Sequence, residues 1–576
     1  MSKKKYTMLL VMSLVIACGR ASTPAPTTTG NGGDTTKITT PADPATPATI
    51  GFFLNDWQPK TFTAPAYIPG TVPSNTTAEV TVDATTVVSK LTPTLFGNNA
   101  NPYMTQMVTQ STLMEHITNL HPGIIRFPGG NISSVFFWNA VPGNAPADAP
   151  QKILDANGNP IDPGYWYGNN GADYTLSVAN YYNMLQQTGN EGIITINYGY
   201  ARYGTGADPV AAAAHLAADW VRYDKGRTRY WEIGNESNGT WQAGYRIDPA
   251  GNKDGQPAII TGDTYGKHFK VFADSMRKAA AEVGKPIFIG AQMLEQAPAS
   301  WSNNTDKTWN TGVLQQSANS PDYYIIHSYF TPYNTNSTPA EILATGTSNP
   351  KAMAAYVAQC WQTAGTTPKP IALTEWNIFA TGSKQMVSQI AGVHATIVLE
   401  ELMKLGYGMA SRWDLANGWN NGDDHGLFSQ GEAASGESKW TPRPAFYYMY
   451  MLQKTAGDRV INAAVTKGST DILAYASTFS SGQLQVVLVN TGGNLQSVAL
   501  QFKNFKAGSR YYWYTLDGGS SSFSRKVSIN GEGPVNGSFG GPATYTTVKA
   551  YGADAGQGIK VNVPPMSVTI LQIEKQ

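Results

Sequence analysis

The stretch Arg229-Tyr-Trp-Glu-Ile-Gly-Asn-Glu236 decides how the rest of the chain is interpreted. Its first half is apolar and aromatic at alternate positions, which is typical of a buried strand, and Gly234 and Asn235 then mark the opening of that strand into a loop. Glu236 follows directly. We therefore expect its carboxylate at the mouth of a fold and not in the core.

A second stretch, Lys369-Pro-Ile-Ala-Leu-Thr-Glu-Trp-Asn377, has the same organisation. An apolar run begins after Pro370 and ends in Glu375. Two glutamates at two strand ends form a candidate catalytic pair. Cleavage of a glycosidic bond uses such a pair, because one carboxyl group protonates the leaving oxygen while the other stabilises or attacks the anomeric carbon.

These motifs resemble the signature of the clan A retaining glycoside hydrolases, nearest to the α-L-arabinofuranosidase-like families, which also carry a stretch like Arg-Phe-Pro-Gly-Gly-Asn at 126–131. The resemblance covers roughly residues 95–454. It implies that Glu236, after Asn235 at the end of barrel strand four, is the acid/base. It also implies that Glu375, at the end of strand seven, is the nucleophile.

Short apolar runs alternate with helical patterns through the same region, which predicts repeated βα units. The fold class we predict is α/β plus all-β, a (β/α)8 TIM barrel with a C-terminal β-sandwich. In such a barrel the chemistry lies at the C-terminal ends of the strands. The candidate strands are 94–97, 123–127, 192–198, 229–233, 286–292, 323–327, 370–374 and 409–414, and the clearest helices are 209–223, 265–283, 350–361 and 385–405.

Polar and aromatic residues near the other strand ends are candidate sugar contacts, because sugar hydroxyls need donors and acceptors while their C–H faces stack on rings. Arg126 either pairs with Glu375 inside the barrel, as the resemblance favours, or lies solvated at the rim. His327 and Tyr329 are either site residues on one side of strand six or packed core groups. The candidates for substrate binding are Arg126, Asn131, Asn235, His327, Tyr329, Trp376 and Trp413.

Glu232 and two polar clusters receive other interpretations. We expect Glu232 to be structural, paired to a cation inside the barrel. The clusters at 155–162 and 420–425 lack the spacing of a calcium loop, which needs glycine at its sixth position. We predict a hairpin turn at 155–159 and substrate contact at 420–425, so we expect neither a metal nor a cofactor.

The first residues resemble a bacterial lipoprotein signal, with three lysines, an apolar run and then Cys18. This predicts lipidation of Cys18 and a location in the bacterial cell envelope, periplasmic or at the outer-membrane surface. The alternative is a plain secretory signal and a secreted protein. The expected divisions are a signal peptide at 1–18, a linker rich in Thr, Pro and Gly at 19–49, N-terminal strands that pack on the sandwich at 50–90, the catalytic barrel at 91–455 and the sandwich at 456–576.

The 576-residue chain has a formal net charge of +1 and no basic block beyond its first residues, so nucleic-acid binding is not expected. We predict a retaining glycoside hydrolase that acts by double displacement on a plant or algal polysaccharide or its oligosaccharides, either arabinofuranosidase-like or an endo-β-glycanase. Two alternatives stay open: a non-catalytic glycan-binding surface lipoprotein, and a polysaccharide lyase. The sequence leaves the oligomeric state open.

Overall fold

The structure is a computed structural model that describes residues 38–44, 53–54, 57–418, 424–534 and 537–576. The predicted signal peptide with Cys18, and most of the predicted linker, lie outside these residues. No helix among the described residues is both long and apolar enough to cross a membrane.

The described residues include a closed barrel of eight parallel strands, numbered here β1 to β8 in chain order. Neighbouring strands pair in sequence order, and β8 pairs with β1 to close the ring. The predicted (β/α)8 barrel with a C-terminal β-sandwich is confirmed. The strands are β1 Gly97–Asn99, β2 Ile124–Phe127, β3 Gly192–Ile196, β4 Tyr230–Ile233, β5 Phe288–Gln292, β6 Tyr323–Tyr329, β7 Ile371–Asn377 and β8 Met409–Arg412.

Helices surround the barrel and begin at the capping residues that the sequence offers. Asp208 caps α4 through the backbone N–H of Ala211, and Thr338 forms a capping box with Glu341 at the start of α7. The helices are α1 Ser111–Leu120, α2 Val178–Thr188, α3 Gly199–Tyr203, α4 Pro209–Asp224, α5 Gly262–Val283, α6 Asn304–Ser317, α7 Pro339–Ala364, α8 Gln389–Leu405 and α9 Pro444–Thr455. Short 3-10 turns occur at Pro93–Leu95, Asn131–Val135 and Gln385–Val387.

Several boundaries differ from those predicted. The first strand begins at Gly97 because Pro93–Leu95 forms a 3-10 turn where we expected the strand. Strand β7 continues to Asn377, so Glu375 lies within the strand and not after it. Helix α7 starts at Pro339 and contains Pro350, where we expected the helix to begin. Pro350 has no backbone N–H, so the helix has one backbone hydrogen bond fewer at that turn.

A second sheet of eleven strands lies beyond the barrel in the described part of the chain. Strand Ala78–Lys90 runs between Arg459–Lys467 and Gln496–Lys503, so residues that precede the barrel in sequence complete the sandwich. The other strands are Tyr67–Pro69, Ile472–Thr478, Leu484–Asn490, Ala507–Asp517, Ser528–Ile529, Ala550–Asp554, Ile559–Val563 and Ser567–Lys575. Alternate residues of these strands form a separate apolar core that includes Val80, Leu488 and Val561.

Three two-stranded sheets complete the fold within the described residues. Ile153–Leu154 pairs with Pro160–Ile161, and the carboxylate of Asp155 accepts the backbone N–H groups of Asn157 and Asn159. The 155–159 segment is therefore a hairpin turn, as the sequence indicated. The others join Phe136–Phe137 to Trp166–Tyr167, and Ala416–Asn417 to Phe428–Ser429.

Candidate active site

A buried arginine lies at the centre of the C-terminal face of the barrel. Arg126, at 0% exposure near the end of β2, donates from Nε to Glu232 Oε2 (2.6 Å) and from Nη2 to Asn235 Oδ1 (2.7 Å). Its Nη1 reaches both Asn99 Oδ1 (3.0 Å) and Glu375 Oε2 (3.2 Å). One guanidinium therefore fixes four side chains, which come from β1, from β4 and its end, and from β7. Of the two positions considered for Arg126, the structure shows the one paired with Glu375.

Glu232 supports this arrangement from inside the barrel. Its Oε2 accepts both Arg126 Nε and the Thr195 hydroxyl (2.9 Å), and its side chain is fully buried. Side chains alternate along a strand, so Glu232 points to the barrel axis while Trp231 points to the helices. This is the paired, structural carboxylate that we expected.

Glu375 is held by two donors. Tyr329 donates its hydroxyl to Oε1 (2.6 Å), and Arg126 Nη1 contacts Oε2. Only 6% of the Glu375 side chain is exposed. Charge-assisted hydrogen bonds of this kind fix the orientation of a carboxylate, which a nucleophile requires.

Glu236 lies just beyond the end of β4 in a left-handed backbone conformation, with φ of +42°. Its Oε1 accepts His327 Nδ1 (3.1 Å), and its Oε2 accepts the Trp241 indole N–H (3.1 Å). The side chain is 24% exposed, four times the fraction for Glu375. The more open carboxylate therefore faces the entrance.

One carboxylate oxygen of Glu236 and one of Glu375 lie within 4.8 Å of each other, and His327 Nδ1 lies within the same distance of both. Retaining glycosidases separate their carboxyl groups by about 5–5.5 Å, whereas inverting enzymes need about 6.5–9.5 Å to admit a water molecule. The measured separation fits attack by one of the carboxylates.

The same three side chains are also the group among the described residues that could hold a metal ion. Protein donors already occupy their ligand atoms: Tyr329 and Arg126 contact Glu375, while Trp241 contacts Glu236. A cation here would also meet the charge of Arg126. The donor set therefore suits a carboxylate pair better than a metal site.

The electrostatics of the site join the two carboxylates to His327. Burial acts to raise the pKa of Glu236, but the hydrogen bond and charge of His327, with Trp241 and Arg126, bring that pKa below its ordinary value. Burial raises the pKa of Glu375, and the nearby charge of Glu236 adds to this. The pKa of His327 is raised by both carboxylates against the effect of burial.

His327 and Tyr329 lie at a spacing of two on β6, so both side chains face the site, and each contacts one carboxylate. Asn235 is 1% exposed. Its Oδ1 accepts from Arg126, while its Nδ2 has no hydrogen-bond partner among the described residues.

Trp413 follows β8, and its ring lies against the glycine pair of the 126–131 stretch. A Cβ atom on Gly130 would come within 2.6 Å of the Trp413 ring, and one on Gly129 within 3.3 Å. Both glycines also have positive φ. The two glycines are therefore needed so that the backbone passes close to this ring. Asn131, in contrast, is exposed and forms no hydrogen bond with either carboxylate.

The structure does not bring Trp376 to the site, so its prediction as a substrate contact is corrected. Trp376 is 1% exposed and packs edge-on against Phe330. The physical reason is the alternation of side chains along β7, which turns Trp376 toward the helices because Glu375 faces the barrel mouth.

The predicted substrate contact at 420–425 is corrected for Asp424. Both carboxylate oxygens of Asp424 accept hydrogen bonds from Arg443, and the side chain is fully buried. Because the Asp424 side chain is fully buried in this ion pair, a sugar does not reach its carboxylate. The ring of His425 packs near Tyr329, while residues 419–423 lie outside the described residues.

Sequence analysis missed two residues that shape the entrance. Trp241 contacts Glu236, and Glu295, after β5, lines the same pocket of about 200 Å³ together with His327 and Tyr329. Burial raises the pKa of Glu295 to about 7, and the charge of Glu236 adds to this effect. Trp241 lies five residues after Glu236, and this closeness in the sequence was the available signal. Nothing in the sequence linked Glu295 to the site.

Comparison with known proteins shows which families and structures the chain is similar to. Residues 116–334 match the family model described as the α-L-arabinofuranosidase 1 domain. An intracellular exo-α-(1→5)-L-arabinofuranosidase of Streptomyces lividans is 23% identical over 287 residues, 45% of this chain and 38% of the relative. The enzyme of the same name from Halalkalibacterium halodurans is 23% identical over 219 residues, 37% of this chain and 38% of the relative.

The chain thus spans well under half the length of the curated relatives it matches. These relatives are named intracellular enzymes, as is the one from Acetivibrio thermocellus, which contradicts our expectation of an envelope-anchored or secreted protein. That expectation of location is wrong.

Solved structures extend the similarity over more of the chain. The α-L-arabinofuranosidase of Thermotoga maritima, in its arabinose complex, aligns with a TM-score of 0.58 and 18% identity over 86% of this chain and 100% of that one. The GH51 α-L-arabinofuranosidase of Thermotoga petrophila gives 0.59 and 16% over the same shares. At these identities the structures show the fold. Together with the family model and the curated relatives, they show that this chain resembles the clan A retaining glycoside hydrolases, nearest to the α-L-arabinofuranosidase-like families.

Proposed function

We propose that the protein is a retaining glycoside hydrolase that removes α-L-arabinofuranosyl groups from a glycan, with Glu375 as nucleophile and Glu236 as acid/base. The observation that carries the proposal is the pair itself. Carboxylates from the ends of β4 and β7 approach within 4.8 Å, and Arg126 and Tyr329 orient one of them.

The reaction takes two displacements. In the first, a Glu375 oxygen bonds to the anomeric carbon, the glycosidic C–O bond breaks, and Glu236 gives its proton to the leaving oxygen. In the second, Glu236 takes a proton from water as that water attacks the anomeric carbon, and the bond to Glu375 breaks. Both carboxyl groups return to their starting states, and two inversions give net retention.

Neighbouring residues support these steps. Arg126 and the Tyr329 hydroxyl hold Glu375 in one orientation and stabilise its charge when it leaves the glycosyl-enzyme intermediate. The Asn235 amide, which has an unused donor, is suited to a sugar hydroxyl beside the reacting carbon. Trp413 offers a ring as the floor of the sugar subsite.

The two proposed roles require that Glu236 is protonated and Glu375 is charged when the substrate reacts. The surrounding protein groups lower the pKa of Glu236 and raise that of Glu375, which is opposite to the order that the two roles need. His327 Nδ1 lies 3.1 Å from Glu236 and 3.7 Å from Glu375. We therefore infer that a proton shared among these three groups lies on Glu236 when substrate fills the pocket.

Azide rescue tests the assignment of roles. Glu375→Ala should lower kcat on 4-nitrophenyl α-L-arabinofuranoside by roughly 10³-fold or more, and sodium azide should restore turnover and form the glycosyl azide of inverted configuration. Glu236→Ala should instead form the azide of retained configuration, because Glu375 still forms the intermediate.

Glu375→Gln is the matched control, since its amide fills the space that azide would need and should block rescue. If Glu375→Ala gave the glycosyl azide of retained configuration and Glu236→Ala gave the inverted one, the two roles would be reversed. Full activity of Glu375→Ala without azide would overturn the proposal.

The non-catalytic glycan-binding alternative has no support in the comparisons, and this experiment separates it from the enzyme. A glycan-binding protein would release no nitrophenol and no reducing sugar from arabinose-containing polysaccharides. A lyase would generate unsaturated products that absorb ultraviolet light.

A further inference from the structure

A groove continues from the carboxylate pair toward the loop between β5 and α6. The inner pocket of about 200 Å³ holds Glu236 and His327. An outer pocket of about 440 Å³ adjoins it and shares Asn238, Trp241, Leu294 and Glu295 with it. The outer volume falls in the range of roughly 300–1,000 Å³ that accepts ligands larger than one sugar ring.

The groove lies nearer to one of the two carboxylates than to the other, and this indicates which part of the substrate it would receive. Glu236 lines the inner pocket, whereas Glu375 lines neither pocket. If Glu236 protonates the leaving oxygen, as proposed above, the leaving group departs on the side of Glu236. The outer pocket therefore receives the leaving group and not the sugar that bonds to Glu375.

Two exposed indole rings border the groove. Trp241 is 63% exposed and Trp301 is 88% exposed, although such large apolar side chains are normally covered. The Trp241 ring is fixed by its hydrogen bond to Glu236, and it lies so close to Gly239 that a Cβ there would come within 2.6 Å. Flat, positioned rings beside amide and hydroxyl groups are the surface that a sugar chain needs.

The charge of the outer pocket is one-sided. Among the described residues that line it there is no lysine or arginine, and the charged side chains are Glu295 and Asp306. Asp306 is held in place because its carboxylate accepts the Asn238 amide (3.1 Å). Like charges across an interface disfavour binding, so this surface opposes a leaving group that carries uronate.

We propose that the outer groove binds the neutral glycan chain of the leaving group, with Trp301 as a stacking platform and Glu295 and Asp306 as a selection against uronate-bearing chains. The proposal rests on the proposed function and specifies its substrate: arabinofuranosyl groups attached to a neutral chain longer than one residue.

Trp301→Ala tests the platform by comparing two leaving groups. kcat/KM on a neutral α-(1→5)-linked arabinotetraose should fall by about 3- to 10-fold, while kcat/KM on 4-nitrophenyl α-L-arabinofuranoside should stay within about twofold. Leu495→Ala is the matched control, because Leu495 is a 53% exposed apolar residue of the sandwich that lines neither pocket. It should change neither value.

The outcomes separate the two proposals. If Trp301→Ala and the wild type had equal kcat/KM on the tetraose and on the nitrophenyl substrate, the groove assignment would be overturned and the proposed function would stand. An equal loss of kcat/KM on both substrates would also overturn the groove assignment. Absence of any hydrolysis by the wild-type protein would overturn the proposed function and the groove assignment with it.

The selection against uronate-bearing chains is tested by comparing the cleavage rates of two oligosaccharides. Wild-type protein should cleave arabinose from an arabinoxylo-oligosaccharide faster than from the same oligosaccharide with glucuronate on the xylose chain. Glu295→Gln combined with Asp306→Asn should narrow that ratio at pH 8, which lies above the pKa of about 7 of Glu295. An unchanged ratio would contradict the selection.

Discussion

At the scale of single residues, Trp376 within β7 and Trp413 just after β8 show how the alternation of side chains along a strand decides whether a ring faces the site. Glu375 and Trp376 are neighbours, yet one faces the barrel mouth and the other is 1% exposed among the helices. Trp413, by contrast, is half-buried beside the glycine pair at the mouth. The sequence predicted substrate contact for both rings, but alternation along β7 permits only Trp413 that role.

Substitution of each ring should separate substrate binding from packing. Trp413→Ala should lower kcat/KM by about 10- to 100-fold, because a sugar loses its stacking surface. Trp376→Phe should leave kcat/KM within about threefold but lower the melting temperature, because it leaves a cavity in the core. Steady-state kinetics and a thermal melt of each variant measure both effects. A large loss of kcat/KM in Trp376→Phe with unchanged stability would restore that residue to the site.

At the scale of elements, helix α8 joins the barrel to the sandwich through buried carboxyl groups. Glu401 accepts the hydroxyl of Tyr475 in the strand Ile472–Thr478, and Lys351 of α7 lies 3.4 Å from it. Glu400 beside it is buried, and burial together with the charge of Glu401 raises the pKa of Glu400 to about 8. Helical periodicity predicted α8, but its two faces could not be assigned to the barrel and the sandwich, because that depends on packing between distant segments.

Glu400 should make the stability of the protein depend on pH. A glutamate in the unfolded chain has a pKa near 4.3, so the folded state binds the extra proton. The free energy of unfolding should therefore fall as pH rises from about 4.5 to about 8. Glu400→Gln should remove this decline and be more stable than wild type at pH 8 by on the order of 1–3 kcal/mol.

Urea unfolding at pH 5 and at pH 8 gives the comparison, and Glu401→Gln is the control. Glu401→Gln removes the ion pair with Lys351 but keeps the buried Glu400, so that variant should still lose stability between pH 5 and pH 8. A Glu400→Gln variant with the pH dependence of wild type would contradict a neutral, buried Glu400.

At the scale of the whole molecule, the chain passes through the sandwich before it forms the barrel. The eight barrel strands were predictable because each is a short apolar run between helical patterns. Of the two catalytic candidates, Glu236 follows the end of β4 and Glu375 lies two residues before the end of β7. Pairing of Ala78–Lys90 with strands nearly 400 residues later depends on tertiary structure. Contacts such as Arg443 with Asp424, or Glu295 with the entrance, depend on loop geometry and carry no local signal.

Removal of N-terminal segments should show where the folded unit begins. A variant that starts at Ile38 is the reference, because it keeps every described residue. A variant that starts at Leu91 lacks the strand that pairs with both Arg459–Lys467 and Gln496–Lys503, and it should aggregate or melt at least about 10 °C lower because the core around Val80 and Val561 is exposed. Equal melting temperatures for the two variants would show that this strand is dispensable.

The central claim is that Glu375 and Glu236 act by double displacement, and the anomer of the first product tests it most directly. Proton NMR of arabinose, or of its methyl glycoside formed in methanol–water, can be recorded within the first turnovers of an α-L-arabinofuranoside. Carboxylate oxygens within 4.8 Å leave no place for an intervening water, so the first product should be the α anomer, as in the substrate. The β anomer as first product would mean single displacement by water and would contradict the assignment of both glutamates.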